Sequence, residues 1–364
     1  MNAYFPEIKK NFGFGLMRLP KVGDEVDIPE LKRMVDAFLT AGFNYFDTAR
    51  PYVKGKSEPA IREALTSRYP RESFLLADKL SPGFFEKAED IRPLVDSQLE
   101  ACGVDYFDFY LIHANSLERH KMFTETRAYE IALELKAEGK LRHVGFSYHD
   151  NAENLDKILT DQPDMEFVQL QFNYVDYEDP MVESRKCYEV CRKHGKPVLV
   201  MEPVRGGSLV NLPQEALDLM PGSPAGYAIR YCAGFEGVVM VLSGMSNMEQ
   251  MEDNLATMTD YQPLNDEEQE IISKVRTIYQ ASHRIPCTSC RYCTDGCPAG
   301  VPIPEIFGYM NRLHAKEKEG EPEKDYAALE VKADACLSCG LCEEECPQHL
   351  HIRKLLKEAV KAFA

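Results

Sequence analysis

Short apolar runs alternate with amphipathic segments along most of the chain. Eight runs are rich in branched and aromatic residues, and the segments between them repeat apolar residues at helical spacing. The runs are FGLMRL, FNYFD, SFLLADK, FDFYLIH, HVGFS, FVQLQFN, PVLVMEP and GVVMVLSG. Eight strands that alternate with helices over about 270 residues predict an α/β fold, the (β/α)8 or TIM barrel. A doubly wound sheet is the alternative, although no G-x-G-x-x-G sequence opens a first helix.

The C-terminal part of the chain has a different pattern, which is dominated by helical spacing. Ile306, Met310 and Leu313 recur at this spacing, and the last segment, HIRKLLKEAVKAFA, is amphipathic. We therefore predict two domains, a (β/α)8 barrel over residues 1–282 and a small, mainly helical domain over residues 283–364.

Two near copies of one cysteine motif lie in this tail and contain eight of the twelve cysteines. Each copy has the spacing C-x2-C-x2-C-x3-C-P, in which three cysteines hold one [4Fe–4S] cluster and the fourth reaches the other cluster. Disulfides are disfavoured in a cytoplasmic chain, and zinc prefers two C-x2-C pairs. The predicted ligands are Cys287, Cys290, Cys293 and Cys346 for one cluster, and Cys336, Cys339, Cys342 and Cys297 for the other.

Charge and hydropathy narrow the classes of function. The formal net charge is −17, which argues against nucleic-acid binding because little positive charge is available to neutralise phosphates. No apolar run reaches the roughly 18 residues that a membrane helix requires, and the N-terminus lacks the pattern of a secretion signal. We therefore expect a cytoplasmic protein that binds neither nucleic acid nor membrane.

Polar residues end the second, third and fourth predicted strands. Asp47 ends FNYFD, Lys79 ends SFLLADK and His113 ends FDFYLIH, while Tyr52 follows Asp47 by five residues. Taken singly, each has an ordinary structural interpretation, such as a helix cap, a solvated lysine or a histidine at the barrel rim. Together they stand at the carboxyl end of successive strands, where barrel enzymes place their active sites.

Over residues 12–282 the chain resembles the aldo-keto reductases. The resemblance rests on GFGLMRLP, FNYFDTARPY, LLADK, YLIH, GKLRHVGFS, VQLQFN and MSNMEQMEDNL. It implies that Asp47, Tyr52, Lys79 and His113 form the catalytic tetrad. Tyr52 would donate a proton to the carbonyl oxygen, and Lys79 would favour its phenolate and so lower its pKa. Asp47 would hold Lys79 in place, and His113 would orient the carbonyl.

The resemblance also implies a nicotinamide cofactor, NAD(P)H. Ser147 and Gln169 match positions that hold the carboxamide, and Met201 stands where a tyrosine often stacks on the ring. Gly244 and Gln250 stand where NADPH-specific relatives have a lysine and an arginine, so a preference for NADPH is not implied. The implied cofactor contacts are Gly15, Ser147, Gln169, Met201, Arg205, Gly244, Gln250 and Asn254. For Arg205, an exposed position in a loop is the alternative interpretation.

The tail resembles the helical dicluster ferredoxins that are fused to redox enzymes, and the fusion leaves three functions open. The barrel could reduce a carbonyl or oxidise an alcohol with NAD(P)H, and the clusters would serve electron transfer, sensing or structure. It could instead hold FMN and pass single electrons to the clusters, or be a non-catalytic scaffold. We predict the first function, because a scaffold does not need the tetrad. This function implies a small carbonyl or alcohol substrate, and it is compatible with a redox partner protein that exchanges electrons with the clusters.

Overall fold

The computed structural model describes residues 3–282, 284–315 and 321–364. The chain divides into two compact units: Met1–Pro203 with Ala225–Asn265, and Val204–Pro224 with Asp266–Ala364. The predicted domain boundary after residue 282 stays a prediction, and His283, which would begin the second domain, lies outside the described residues.

Within the described residues of the first unit, eight parallel strands close a barrel. Each strand pairs with the next, and the first strand pairs with both the second and the last. This closed barrel confirms the predicted fold class and excludes the doubly wound alternative, whose sheet is open. The strands are β1 Phe12–Gly15, β2 Tyr45–Asp47, β3 Leu75–Leu80, β4 Phe107–Asn115, β5 Leu141–Tyr148, β6 Val168–Gln171, β7 Val198–Met201 and β8 Val238–Gly244.

The first predicted strand, FGLMRL, is wrong after its first two residues. Strand β1 ends at Gly15, and Leu16–Arg18 form a turn of 3-10 helix. The Ser57 hydroxyl donates to the Leu16 carbonyl at 3.1 Å, and the Ser246 hydroxyl donates to the Arg18 carbonyl at 2.8 Å. Because side chains satisfy these carbonyls, the chain can leave the sheet and turn at the carboxyl end of the barrel.

Amphipathic helices surround the barrel. In α1 (Ile28–Thr40), the Asp27 side chain accepts a hydrogen bond from the Glu30 amide and caps the helix, and the apolar residues at helical spacing are buried. The further helices of the first unit are α2 Ser57–Ile61, α3 Ala88–Cys102, α4 Leu117–Glu125, α5 Ala128–Ala137, α6 Ala152–Asp161, α7 Ser184–Lys193, α9 Pro224–Ala233 and α10 Met248–Thr259, while α8 Gln214–Leu217 belongs to the second unit.

The amino end of the barrel is filled with aromatic side chains. The Phe5 ring lies 5.0 Å from that of Phe109 and 6.0 Å from that of Phe167. Tyr45 and Leu111 are buried in the same cluster. Aromatic packing therefore fills the barrel interior at this end, and the predicted tetrad residues lie at the opposite, carboxyl end.

The second unit is helical, as predicted for the tail. Buried Ile306, Phe307 and Met310 from α13 pack in one core with Ile352 and Leu356 from α16. No helix within the described ranges is both long enough and apolar enough to cross a membrane. Besides α8, the helices of this unit are α11 Asp266–Ala281, α12 Tyr292–Asp295, α13 Ile303–Ala315, α14 Pro322–Ala327, α15 Leu341–Glu344 and α16 Ile352–Ala362.

Candidate active site and metal centres

A buried ion pair joins the carboxyl ends of β2 and β3. Lys79 Nζ donates to Asp47 Oδ1 at 2.6 Å and to the Thr48 carbonyl at 2.7 Å. Burial raises the pKa of the Asp47 carboxyl, while the Lys79 ammonium acts to lower it. Because taking two charges out of water is costly even when they are paired, the pair is a candidate for function rather than for stability.

Tyr52 lies against this ion pair. Lys79 Nζ is 4.7 Å from the centre of the Tyr52 ring. Burial raises the pKa of the Tyr52 phenol well above its usual value, and the Asp47 carboxylate raises it further. The pKa of Tyr52 is therefore not lowered as expected, because burial and the Asp47 carboxylate disfavour the phenolate and outweigh the lowering by the Arg18 charge. The phenol keeps its proton, which is the form that a proton donor needs.

His113 completes the group at the end of β4. Its ring centroid lies 6.1 Å from that of Tyr52, so the four predicted tetrad residues come together at one end of the barrel. Burial lowers the pKa of His113 well below its usual value, and the Lys79 charge adds to this. A neutral imidazole has one nitrogen that donates and one that accepts.

Sequence reasoning missed Ser81, which lies two residues beyond Lys79. Its Oγ is 2.6 Å from His113 Nδ1, and both side chains are buried. The hydroxyl can donate to Nδ1, which would leave the proton of the neutral ring on Nε2. The only signal in the sequence is the position of a small polar residue just after a strand that carries a tetrad residue.

The two predicted carboxamide contacts are neighbours on β5 and β6. Ser147 and Gln169 are paired in register, and Ser147 Oγ accepts a hydrogen bond from the Ala114 amide at 2.8 Å. Gln169 Oε1 is buried and has no hydrogen-bond partner among the described residues. A buried acceptor without a donor is costly. The amide of a bound nicotinamide would supply that donor, so these residues fit the cofactor.

Two glycines face each other beside the tetrad. In β1, Gly15 pairs with Asp47 on one side and with Gly244 on the other. A Cβ atom on Gly244 would lie 3.4 Å from Arg18 Cβ, so the arginine covers this glycine. Arg18 Nη2 in turn donates to Glu202 Oε1 at 3.1 Å. Sequence reasoning missed this ion pair, whose members are far apart in the chain.

Two further implied cofactor contacts, Gln250 and Asn254, make hydrogen bonds within the protein. Gln250 Oε1 accepts a hydrogen bond from the Ser246 amide at 2.8 Å, just before α10. Asn254 Nδ2 donates to Ser243 Oγ at 2.9 Å. Both side chains therefore order the turn between β8 and α10, and neither supplies positive charge for a 2′-phosphate.

Met201 and Arg205 follow each other closely in the chain but belong to different compact units. Met201 is the last residue of β7 and is partly buried. The alternative of an exposed loop position is wrong for Arg205, which is buried and donates from Nη1 to the Tyr279 hydroxyl at 3.1 Å. Its contact with a cofactor stays a prediction.

The two cysteine runs form matching backbones in the second unit. The Ser289 amide donates to Cys287 Sγ and the Ser338 amide donates to Cys336 Sγ, both at 3.4 Å. Both serines adopt positive φ, 54° and 57° respectively. Amide hydrogen bonds to sulfur stabilise a thiolate and tune the potential of a bound cluster, so the runs suit iron–sulfur ligation.

The thiols of the two runs lie close together. Burial raises the pKa of Cys293, and the nearby thiols of Cys290, Cys287, Cys346 and Cys342 raise it further. Cys346 and Cys342 belong to the other run, and the division of the thiols into two ligand sets stays a prediction. Crowded thiols release their protons only when a cation compensates their charge.

The four cysteines of the second predicted set line one cavity. Within the described ranges, no group of three or more His, Cys, Asp or Glu side chains is placed to hold a single metal ion. Four cysteine thiols are the donor set that a [4Fe–4S] cluster takes. The cavity's cysteines are Cys297, Cys336, Cys339 and Cys342.

Comparison with known proteins agrees with both units. Residues 11–277 match the model of the aldo/keto reductase family, and residues 286–350 match that of a 4Fe-4S dicluster domain. L-galactose dehydrogenase of Arabidopsis thaliana is 26% identical over 301 residues, which are 74% of this chain and 90% of that protein.

Two solved structures show the same barrel. An aldo-keto reductase of Bacillus halodurans in its holo form has a TM-score of 0.60 at 25% identity and covers 73% of this chain and 91% of its own. An aldo-keto reductase of Klebsiella pneumoniae in complex with NADPH has a TM-score of 0.58 at 20% identity and covers 74% of this chain and 90% of its own. The chain therefore belongs to the aldo/keto reductase family of oxidoreductases and carries a 4Fe-4S dicluster domain after its barrel.

Proposed function

We propose that the barrel interconverts a small carbonyl compound and its alcohol with a nicotinamide cofactor, and that Tyr52 exchanges the proton. The observation that carries this proposal is the buried Lys79–Asp47 ion pair, 2.6 Å between Nζ and Oδ1, with Tyr52 against it. His113 lies beside Tyr52 and supports the same chemistry.

The chemistry of carbonyl reduction assigns a role to each residue. The nicotinamide, when bound, supplies hydride to the carbonyl carbon. Tyr52 gives its phenolic proton to the oxygen, and the phenolate that remains is stabilised by the Lys79 ammonium 4.7 Å from its ring. Asp47 holds that ammonium in place through the 2.6 Å hydrogen bond.

His113 directs the carbonyl oxygen. The Ser81 hydroxyl donates to Nδ1 across 2.6 Å, so Nε2 carries the proton of the neutral ring. Nε2 then donates to the oxygen as negative charge develops there. Ser81 is thus a positioning residue, because it acts on the substrate through His113.

Gln169 and Ser147 hold the carboxamide of the cofactor, as the unpartnered Gln169 Oε1 suggests. Neither Gly244 nor Gln250 offers a cation to a 2′-phosphate, unlike the positions of NADPH-specific relatives. We therefore expect the chain to bind NADH at least as tightly as NADPH. Stoichiometrically bound FMN in the purified protein would contradict this assignment.

The test is a Tyr52→Phe variant with a panel of short aldehydes, methylglyoxal among them. We expect turnover to fall by roughly 10²- to 10⁴-fold while the Kd of NADH is unchanged, since only the acidic proton is removed. Tyr45→Phe is the matched control. It removes a buried hydroxyl from β2 that has no hydrogen-bond partner among the described residues. Equal turnover of Tyr52→Phe and the parent would refute the role of Tyr52.

The tail holds two [4Fe–4S] clusters in the crossed ligand sets, and these supply one-electron chemistry. The protein purified without oxygen should contain about eight irons per chain, four for each cubane. A Cys339→Ser variant should lose iron because it lacks one ligand. A Cys232→Ser variant, which lacks a buried thiol of α9, should keep all of it. Full iron content in Cys339→Ser would refute the ligand assignment.

A further inference from the structure

The two cysteine runs differ in how their first loops are covered. Thr288, which follows the first cysteine of the first run, is 2% exposed, whereas Leu337 at the same place in the second run is 68% exposed. Gly206, at φ +64°, lies against the first loop, and a Cβ there would come within 2.1 Å of the Thr288 carbonyl oxygen. A neighbouring backbone thus shields the first loop, while the second presents a leucine to solvent.

Further apolar surface surrounds this leucine. Leu341 is 45% exposed, and Cys339, between the two leucines in the sequence, is also exposed. All three residues line the cavity of the second cysteine set. An exposed apolar patch of this kind marks an interaction site more often than an isolated surface leucine does. Here the patch includes a predicted cluster ligand.

The exposed charges that flank the patch in the sequence are acidic, and Arg353, which lines the same cavity, is paired with Glu343. Asp334, Glu344 and Glu345 are exposed in the same stretch of sequence. Glu343, by contrast, is held by Arg353 Nε at 2.8 Å and is partly buried. A partner that fits this surface carries basic residues around an apolar centre. A second copy of the chain fits poorly, because its net charge is also −17.

We propose that Leu337 and Leu341, on either side of Cys339, form the docking surface for a small one-electron carrier protein with an apolar face and a basic rim. This inference rests on the proposed function, since the surface serves electron transfer only when the second cysteine set holds its cluster. One electron crosses the interface in each encounter. One partner is oxidised as the other is reduced, and no bond forms or breaks.

The experiment uses the full chain with its iron and, as the probe, cytochrome c, a small basic one-electron carrier. Binding to the oxidised chain is measured by calorimetry at low salt. The second-order rate constant for reduction of ferric cytochrome c is measured by stopped flow with the chemically reduced chain. We expect Leu337→Ser to weaken binding and slow the reaction about fivefold each, because a central apolar contact is lost. Added salt should slow the parent's reaction.

The control is Val22→Ser, which removes an equally exposed side chain, 69%, from the barrel unit and should change neither quantity. Iron is measured in every variant. Absence of iron from the parent would refute the proposed clusters. Full iron with a Leu337→Ser variant that matches the parent would refute the docking surface alone. A dimer of the parent that Leu337→Ser converts to monomers in sedimentation would also overturn the proposal, because the occupant would be a second copy.

Discussion

The barrel site and the cysteine runs differ in how far the protein's own side chains bind and hold one another. In the barrel, Lys79 donates to Asp47, and His113 Nδ1 lies 2.6 Å from Ser81, so these side chains hold one another without a ligand. In the tail, burial and neighbouring thiols raise the pKa of Cys293. We therefore expect the barrel site to be organised by the fold alone and the tail to depend on its proposed clusters.

Removal of the iron should give the largest difference between the two regions. Cys293 and Cys342 belong to the same buried core as Ile306 and Phe307, and in the proposed ligand sets each cluster takes its fourth thiol from the other run. Without iron, the tail should lose most of its helical circular dichroism and its resistance to protease. The barrel should keep its own resistance. Limited proteolysis after oxidation and chelation measures this, with chelator alone as the control. An iron-free tail that stays resistant would contradict the comparison.

A Ser81→Ala variant should show a smaller effect, confined to catalysis. We expect kcat to fall about tenfold, which corresponds to about 1.4 kcal/mol, because His113 loses the partner that fixes its tautomer. The hydroxyl favours the neutral ring, so its loss should raise the pKa of His113 and move the acid limb of the kcat profile to higher pH.

The control for Ser81→Ala is Ser184→Ala, which removes another buried hydroxyl, one that donates to the Gln171 carbonyl at 2.8 Å. It should lower stability but leave kcat and its pH profile unchanged. Ser81→Thr, which keeps the hydroxyl, should restore part of the activity. An unshifted pH profile in Ser81→Ala would mean that Ser81 acts only through packing.

The smallest predicted effect is on stability at low pH, and it comes from Glu166 at the amino end of the barrel. Burial acts to raise the pKa of Glu166, but hydrogen bonds from His143 and Lys136 prevail and lower it to about 2. A lowered carboxyl pKa stabilises the fold above its usual value near 4.5, and this stabilisation is lost as the pH falls from about 4.5 towards 2. His143, whose pKa is raised, stays charged over that range.

Urea unfolding of the barrel at several pH values tests this contribution. Glu166→Gln should lower the free energy of unfolding by about 1 kcal/mol at pH 6 and should flatten its fall below pH 4.5. Glu153→Gln, at an exposed surface pair, should behave like the parent. If Glu166→Gln lost stability below pH 4.5 as steeply as the parent does, Glu166 would be excluded as the cause of that loss.

Hydrophobic periodicity and motif spacing were sufficient to predict the parts of the structure that depend on short stretches of the sequence. Alternating strands and helices predicted the barrel, and the ends of β2, β3 and β4 placed Asp47, Lys79 and His113 close together. The cysteine spacing predicted that thiols of the two runs lie near each other, and its division of them into two ligand sets stays a prediction. In each case the relevant residues are brought together by regular secondary structure or lie within one local motif.

Contacts between distant segments could not be predicted in this way. The Arg18–Glu202 pair depends on where two loops meet, and no pattern in either loop indicates the other. The approach of Gly206 to Thr288 likewise depends on which compact unit receives residues 204–224. Ser81 looked like an ordinary residue after a strand, because its importance lies in the orientation of the neighbouring His113.

The most direct test of the account is isotope transfer in the anaerobically purified full chain. NADH with deuterium at the transferred C4 position would be supplied with a reducible aldehyde, and the alcohol would be examined by mass spectrometry. Direct hydride transfer in the barrel predicts one carbon-bound deuterium in each alcohol molecule formed. Alcohol formed without deuterium would contradict the account, because the electrons would then have reached the substrate singly and its hydrogen would have come from water.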